Sequence, residues 1–515
     1  MESSPPPSKL GREGLIDRAE FVRVIVQSLH SLGYAGAASL LESESGVLYQ
    51  SPELTTLRSQ ILDGRWDDSV ATVGSMGLPP PALAAASFVA LRELFMERLG
   101  SGDDRSALEV LRRRIAPLEV ERSRVRELAV AVVDRGRRLE GDRRLEVLAE
   151  MEGLLSPEIR VPERRLERLV EAAVEFQRVS CVYHNVPGPI SLYADHCCGP
   201  DLIPCETKQI LNKHENEVWF VQFSNNGAYL ASSSRDCTAI IWMLEDNGTM
   251  SMKHTLRGHR KPVSFVAWSP DDTMLLTCGN GEVVKLWDVE TGMCKHTFCE
   301  AGGPIVTSCS WFPDSQKFMC GSCDPENCIY KWDLQGNKLE AWRGDRMPKV
   351  SDLSVTPDGD CLISICSDTE IRIFNFNTRT ERVISEEHPI RSHALSGDGQ
   401  FFIVNLTNQE IHLWDVNGNW KEPSRYKGHM QEKYVIRSCF GGLDCMFIAS
   451  GSENSQIYIW SRQSCELIKV LSGHTMTVNC VSWNPLRPDI LASASDDRTI
   501  RIWHASRRIT KGVDA

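Results

Sequence analysis

The sequence predicts a multidomain chain, an all-α N-terminal half followed by an all-β seven-bladed propeller. Three observations carry that reading. Seven aromatics, Trp242, Trp287, Trp332, Phe374, Trp414, Trp460 and Trp503, close successive units at spacings of 45, 45, 42, 40, 46 and 43 residues, the period of a four-stranded blade. Apolar residues alternate inside those units but recur at helical spacing over residues 17–178. After Trp503 only twelve residues remain, without strand alternation, so the last blade needs a strand from elsewhere in the chain.

The register can be followed unit by unit. First strands end at Phe223, Trp268, Trp311, Val355, Leu395, Phe440 and Trp483, each five residues after a β-branched side chain: Val218, Val263, Val306, Val350, Ile390, Val435 and Val478. Turn residues such as Ser-Pro-Asp follow several of them. Ahead of the first unit, Thr207 to Leu211 before Lys213-His214 mimics Thr255-Leu256 before Gly258-His259. Residues 206–211 are therefore expected to complete the seventh blade and remove its open edge.

Gly-His precedes three units, as Gly258-His259, Gly428-His429 and Gly473-His474, and Trp-Asp closes three, at Trp287-Asp288, Trp332-Asp333 and Trp414-Asp415. These units resemble the WD-repeat family over residues 205–508. The resemblance implies a buried hydrogen-bonded set of histidine, turn Asp and strand Trp. Unit one (His214, Asp236, Trp242) and unit seven (His474, Asp497, Trp503) carry it best; His259 and Trp287 stand for it in unit two, and Asp368 takes the Asp position in unit four. Such a His-Asp pair reads as structural, since an unsatisfied buried polar group costs about 1–3 kcal/mol. Units three to six depart from the pattern, with Asn408 and Asn454 in their turns.

In the N-terminal half, Asp17 and Glu20 form a capping box ahead of Phe21, Ile25, Leu29 and Leu32 on one helical face, which Gly33 ends. A second short helix carries Ala37, Ala38, Leu40 and Leu41 and stops at Gly46. Two such helices cannot bury their stripes alone, so association is expected. Leu29 to Tyr34 with Ser39 to Gly46 resembles the LisH motif (residues 15–48), which implies a dimerising helix pair with Phe21, Ile25, Leu29, Leu32, Tyr34, Leu40 and Leu41 at the contact. Ser51-Pro52 opens a third helix, and Trp66, Val70 and Val73 mark a fourth. Ile61 to Asp68, with Phe88, Leu91, Ala107 and Leu111, resembles the CTLH module (49–118), with Ile61, Trp66 and Val70 as packing residues. Residues 119–181 resemble the downstream CRA portion. Residues 1–14 are expected to be disordered, 182–204 to be an irregular Pro/Gly-rich connector, and 509–515 to be a tail.

Composition narrows the function. Net charge is −12, which disfavours a phosphate-binding surface and direct nucleic-acid binding. Arg112-Arg113-Arg114, interleaved with Glu109 and Glu119, reads as a solvated helix face. No run of 18 apolar residues occurs, so no membrane partner is expected. All 18 cysteines lie at or beyond Cys181, the pattern of buried thiols in a reducing compartment, and the cytoplasm, with the nucleus as a second location, is expected. Cys320-x-x-Cys323 with Cys328 lacks a second pair, and His196-Cys197-Cys198 with Cys205 places ligands side by side, which suits tetrahedral zinc poorly; neither a metal nor a cofactor site is expected.

The order LisH, CTLH, CRA and one propeller resembles the WD-repeat subunits of the GID/CTLH ubiquitin ligase, with a close match around Glu217 to Ser224, Asp236 to Trp242 and Trp268 to Asp272. That resemblance implies a non-catalytic scaffold or substrate-recruiting subunit that oligomerises through its helices, partners other LisH/CTLH subunits and binds protein substrates on its propeller. No catalytic residue is assigned, as the chain carries no RING-spaced Cys/His array and no phosphate loop. Two alternatives remain at this stage: a substrate receptor for a cullin-4 ligase, resting on Arg507 four residues after Trp503, and a LisH/WD-repeat corepressor or splicing factor. Candidate partner-binding loop residues are Arg235, Asp236, Asn280, Asn454, Asp496, Arg498 and Arg507.

Overall fold

The computed structural model describes residues 8–118, 122–133, 143–279, 283–298, 306–322, 328–342, 350–366 and 368–506, divided into two compact units, Met1–Glu175 and Phe176–Ala515. Asn280, Cys323 and Arg507 lie outside the described residues.

In the first unit, three helix boundaries have a clear local cause. Asp17 caps α1 (Arg18–Ser31) by accepting from the N–H of Ala19 at 2.8 Å and of Glu20 at 3.0 Å. Gly46, at φ +68°, ends α2 (Ala35–Ser45) in the left-handed conformation that a Cβ disfavours. Ser51 caps α3 (Pro52–Leu62), with Pro52 in the first turn where its missing N–H costs nothing. Then come α4 (Trp66–Ser75), α5 (Pro80–Gly100), α6 (Asp104–Val110) and a π-helical turn at Leu111–Ile115, followed by α7 (Arg122–Val133), α8 (Arg144–Leu154) and α9 (Arg165–Ser180). The three consecutive arginines sit on that π turn, where Arg113 pairs with Glu109 and Arg114 with Asp67, a solvated face as the sequence suggests.

One apolar core joins α3 to α8 through Leu54, Leu57, Ile61, Trp66, Val73, Phe88, Phe95, Ile115 and Met151, with Val70 packed at its edge. The α1/α2 pair has only a small core of its own, Val22, Val26 and Ala38, flanked by Leu29, Leu41, Val47 and Tyr49. Arg23 fastens it to the rest of the unit by donating to the carbonyls of Tyr49, Glu158 and Ile159.

The second unit is a ring of seven four-stranded antiparallel sheets. Alternation is lost in the middle strands, which are buried on both faces: Met274–Gly279 and Ile490–Ser495 have no exposed residue. Neighbouring blades are tied by indoles, Trp268 donating to the Gln222 carbonyl at 3.0 Å and Trp311 to that of Ala267 at 3.1 Å. Six of the β-branched anchors are buried, but Val435 is 49% exposed and Ile436 takes the inward place. The first strand of blade six is short, Ser438–Gly441, and a Cβ on Gly441 would lie 2.2 Å from the Trp483 ring, which explains why Gly-Gly follows Phe440.

The ring closes with a strand from its beginning. Pro204–Leu211 pairs antiparallel with Ile500–Ala505 as the outer strand of blade seven. Gln209 adds a link to blade one, its side chain exchanging two hydrogen bonds with the Met250 backbone at 2.9 and 2.7 Å. The connector is irregular, as expected, and packs on the propeller. Asn185, fully buried, donates to the carbonyls of Leu202 and Pro488 and accepts from the Leu443 N–H, and Arg178 pairs with Asp444 at 2.7 Å. Replacing Gln209 and Ile210 with proline should therefore raise amide exchange in blade seven, over 478–505, while blades three and four keep their protection. Hydrogen exchange read by mass spectrometry checks this.

Candidate interaction surfaces

Inside the blades, polar groups form closed networks. In blade one His214 Nδ1 lies 2.9 Å from Asp236 and Nε2 2.9 Å from the Ser232 hydroxyl, which also accepts from the Trp242 indole at 3.0 Å. Blade seven repeats the set with His474, Asp497, Ser493 and Trp503, every contact at 2.8 Å. In blade two Thr277 links His259 (2.7 Å) to Trp287 (2.8 Å). The bridging hydroxyl was not among the expected residues, yet it carried a signal: Ser or Thr stands ten positions before the tryptophan in all three blades. Burial alone would raise the Asp236 and Asp497 carboxyls; hydrogen bonds from the facing histidines and from Thr238 and Thr499 hold both well below the usual range.

Blades four to six solve the same problem differently. Asp368 faces no such histidine, because the blade closes on Phe374, which has no N–H to satisfy; the Asp368 carbonyl accepts instead from Ile390 at 2.6 Å. In blade five Trp414 donates to Glu386 at 2.7 Å, and His412 sits between Glu386 (2.9 Å) and Glu410 (3.0 Å). Burial would lower the His412 pKa, but the two carboxylates raise it above the ordinary imidazole value. In blade six Trp460 donates to the Lys427 carbonyl at 3.0 Å, and burial pushes His429 down to about 4, so it stays neutral.

At the axis, where the first strands converge, Arg437 reaches across from blade six. Its guanidinium lies 5.2 Å from the Phe220 ring and 4.9 Å from that of Phe265, and donates at 2.7 Å to Asp352 of blade four. His393 of blade five sits 3.1 Å from the same carboxylate and bonds Ser354 at 2.7 Å. Asp352 is fully buried, and Arg437 with His393 hold its pKa well below the usual range despite that burial. Removing one partner of such a pair costs about 3–5 kcal/mol.

The candidate loop residues separate into bound and free groups. Asp236 belongs to the blade-one network, and Asn454 donates to Tyr458 at 2.8 Å as a turn residue. Asp496 accepts from Asn479 at 2.7 Å, and burial raises its carboxyl. Arg235 is exposed and pairs with Glu217, while Arg498 projects from a left-handed turn at φ +67°. The sequence reading missed an apolar patch on two neighbouring loops: Met430, Tyr434 and Val435 of blade six and Met476 of blade seven are 39, 43, 49 and 51% exposed. Glu453 sets the first loop by accepting from three consecutive N–H groups, those of Glu432, Lys433 and Tyr434, at 2.7 to 2.9 Å.

On the helices, the expected contact residues also divide. Leu29 and Leu41 pack inward and Ile25 is half-buried, whereas Phe21, Leu32, Tyr34 and Leu40 are exposed, together with Leu15, Ile16 and Leu48. Farther along, α9 buries none of its residues and exposes Leu169 and Phe176.

The cysteine and histidine expectations need correction as to which residues meet. Cys197 is exposed, and Cys205 contacts Ser506 at 3.4 Å, so neither joins His196 and Cys198. The donors that meet those two are Cys181 and His184. Cys278, Cys309 and Cys320 line up as buried thiols, and burial pushes Cys309 up.

These networks set a pH window for stability. Asp236 and Asp497 contribute fully above about pH 4 and lose that contribution as pH falls. His412 contributes fully below about pH 6.5 and loses it as pH rises through its elevated native value. Asp236→Asn should therefore cost about 2 kcal/mol near neutrality and progressively less as pH falls from about 4 toward the depressed native value, with most of the cost still present at pH 3, and His412→Gln more at pH 6 than at pH 9. Urea midpoints measured across pH check both.

Comparison with known proteins agrees with this architecture. Residues 7–51 match the WDR26 Lis-homology domain. The WD domain, G-beta repeat, matches at 205–243, 250–288, 292–333, 420–461 and 465–504, leaving the stretch of blades four and five, where the networks depart most, unmatched. An Arabidopsis thaliana WD repeat-containing protein WDS homolog is 54% identical over 96% of this chain and 97% of its own length. A WD repeat-containing protein 26 homolog of the same plant is 47% identical over 98% and 88%. GID complex subunit 7 of Schizosaccharomyces pombe is 33% identical over 94% and 96%. With a Lis-homology domain ahead of a seven-bladed WD-repeat propeller and these full-length relatives, the chain belongs to the WD repeat-containing protein 26 family.

Proposed function

We propose that this protein is a non-catalytic scaffold and substrate-recruiting subunit of a GID/CTLH-type ubiquitin ligase. It joins a second copy and sister subunits through its helical half and presents protein clients on its propeller, in the cytoplasm and the nucleus. The observation that carries the reading is the unpartnered stripe of Phe21, Leu32, Tyr34 and Leu40 within the Lis-homology match. Its supporting context is a relative named GID complex subunit 7 that aligns along nearly the whole chain. The α3 to α8 core and the exposed face of α9 fit CTLH and CRA roles, a rigid body and a second contact for sister subunits.

The propeller networks favour a structural use of His214, His412 and His474 and their acids, since each is occupied in holding an indole or another polar group. The clearest free surface is the patch of Met430, Tyr434, Val435 and Met476 beside Arg498, apolar residues rimmed by charge, which suits a protein partner.

Leu32→Glu with Leu40→Glu, both at exposed positions, should leave the circular dichroism spectrum unchanged while dissociating the oligomer and abolishing co-purification with LisH/CTLH subunits. Light scattering after size exclusion reads the mass, and an unchanged assembly would sink the scaffold reading. Tyr434→Ala with Met476→Glu should do the reverse, lowering capture of ubiquitylated clients more than tenfold while assembly stays intact, as quantitative affinity purification would report.

A further inference from the structure

The turn after α9 and the irregular connector bring three soft donors, Cys181, His196 and Cys198, to one point, with His184 against the last two. Cys181 and His184 share a tight turn, in which the Cys181 N–H donates to the Arg178 carbonyl and the His184 N–H to the Cys181 carbonyl. His196 and Cys198 return from the connector. The donor atoms of Cys181, His196 and Cys198 all lie within 4.8 Å of one another, His184 Nδ1 is 2.8 Å from His196 Nε2, and Cys198 Sγ is 3.2 Å from His196 Nε2 and 3.7 Å from His184 Nδ1. Around tetrahedral zinc the edges would be about 3.3 Å between two nitrogens, about 3.6 Å between nitrogen and sulfur and about 3.8 Å between two sulfurs. The His196 edges to His184 and Cys198 must lengthen by about 0.5 and about 0.4 Å, and the His184 ring, which stands outside the close trio, must swing toward Cys181 to complete a tetrahedron.

We propose that Cys181, His184, His196 and Cys198 form a structural zinc site. Two thiolates and two imidazoles are a donor set that selects zinc among common cellular metals, and four protein ligands leave no open position for chemistry. Supporting bonds are already in place: the Cys198 N–H donates to Cys181 Sγ at 3.2 Å, and Gln177 of α9 accepts from the His196 N–H at 2.9 Å while donating to Asp195. Binding releases the two thiol protons to solvent. Asn185, next to His184, is the residue pinned to blades six and seven, so the metal would stiffen the strap that leads into the closing strand.

The test is metal analysis of the full-length chain after extensive desalting. About one equivalent of zinc per folded chain is expected, retained in Cys197→Ser and Cys205→Ser and lost in Cys181→Ser/Cys198→Ser. Cobalt titrated into the stripped protein should give the visible bands of a tetrahedral thiolate complex. A folded wild-type chain that holds no zinc and shows no such bands, an empty polar cluster with a His184–His196 hydrogen bond, overturns the proposal, as does full zinc in the double variant. Should the double variant not fold, His196→Cys, which keeps four donors, must still fold and bind metal; an empty His196→Cys chain counts against the site.

Discussion

A ring of sheets has one requirement that a stack of sheets lacks: the last sheet must meet the first. Here the requirement is met by placing Pro204–Leu211, which precedes blade one, on the far side of Ile500–Ala505. Both ends of the ring thus share one sheet, and the edge of Ile500–Ala505 is paired within the chain instead of being left to recruit another. The other seam contacts, Gln209 with Met250 and Asn479 with the Val218 carbonyl, lie on the same blade-one to blade-seven boundary. The connector leading into the closing strand is pinned to the propeller by Asn185.

Variation among the blades follows from a single accounting rule. A buried indole N–H needs an acceptor, and the chain supplies four answers: Ser or Thr backed by histidine in blades one, two and seven, Glu386 in blade five, the Lys427 carbonyl in blade six, and in blade four no donor at all, because Phe374 replaces tryptophan. Trp332 in blade three has no partner among the described residues. Blades that depart from the repeat pattern are therefore still four-stranded and closed; they differ in which group satisfies the ring nitrogen.

Periodicity made the propeller legible, since few folds besides a ring of blades place seven aromatics at near-constant spacing, and the closing strand followed from counting what remained after Trp503. Side-chain partners that alternate with strand polarity were less visible. The Ser232 hydroxyl looks like any small strand residue until Trp242 and His214 are seen around it. Val435 and Ile436 are adjacent and alike, and it is Ile436, next to the isolated pairing of Arg437 with Cys480, that turns inward. The helical stripe was read correctly as apolar, but its division into Leu29 and Leu41 within the chain and Leu32 and Leu40 outside depends on how α2 crosses α1. The cysteine–histidine cluster was not visible in the sequence: the side-by-side His196-Cys197-Cys198 argued against a metal site, and Cys181, which meets His196 and Cys198, lies across an irregular loop that no period marks.

The arginine at the axis gives the ring a property that repeats alone would not. Units that touch only their neighbours can fray one at a time, as linear arrays do. Arg437 instead joins blade six to aromatic rings of blades one and two and to a buried acid of blade four, which blade five also grips through His393. Losing blade four or blade six strands one charge of the Arg437–Asp352 pair in the interior, so its partner blade is weakened at the same moment. Blades four, five and six are therefore coupled at the axis beyond their nearest neighbours, and a lesion in one of them is felt by the others, whereas blade seven, which this network does not reach, can open locally.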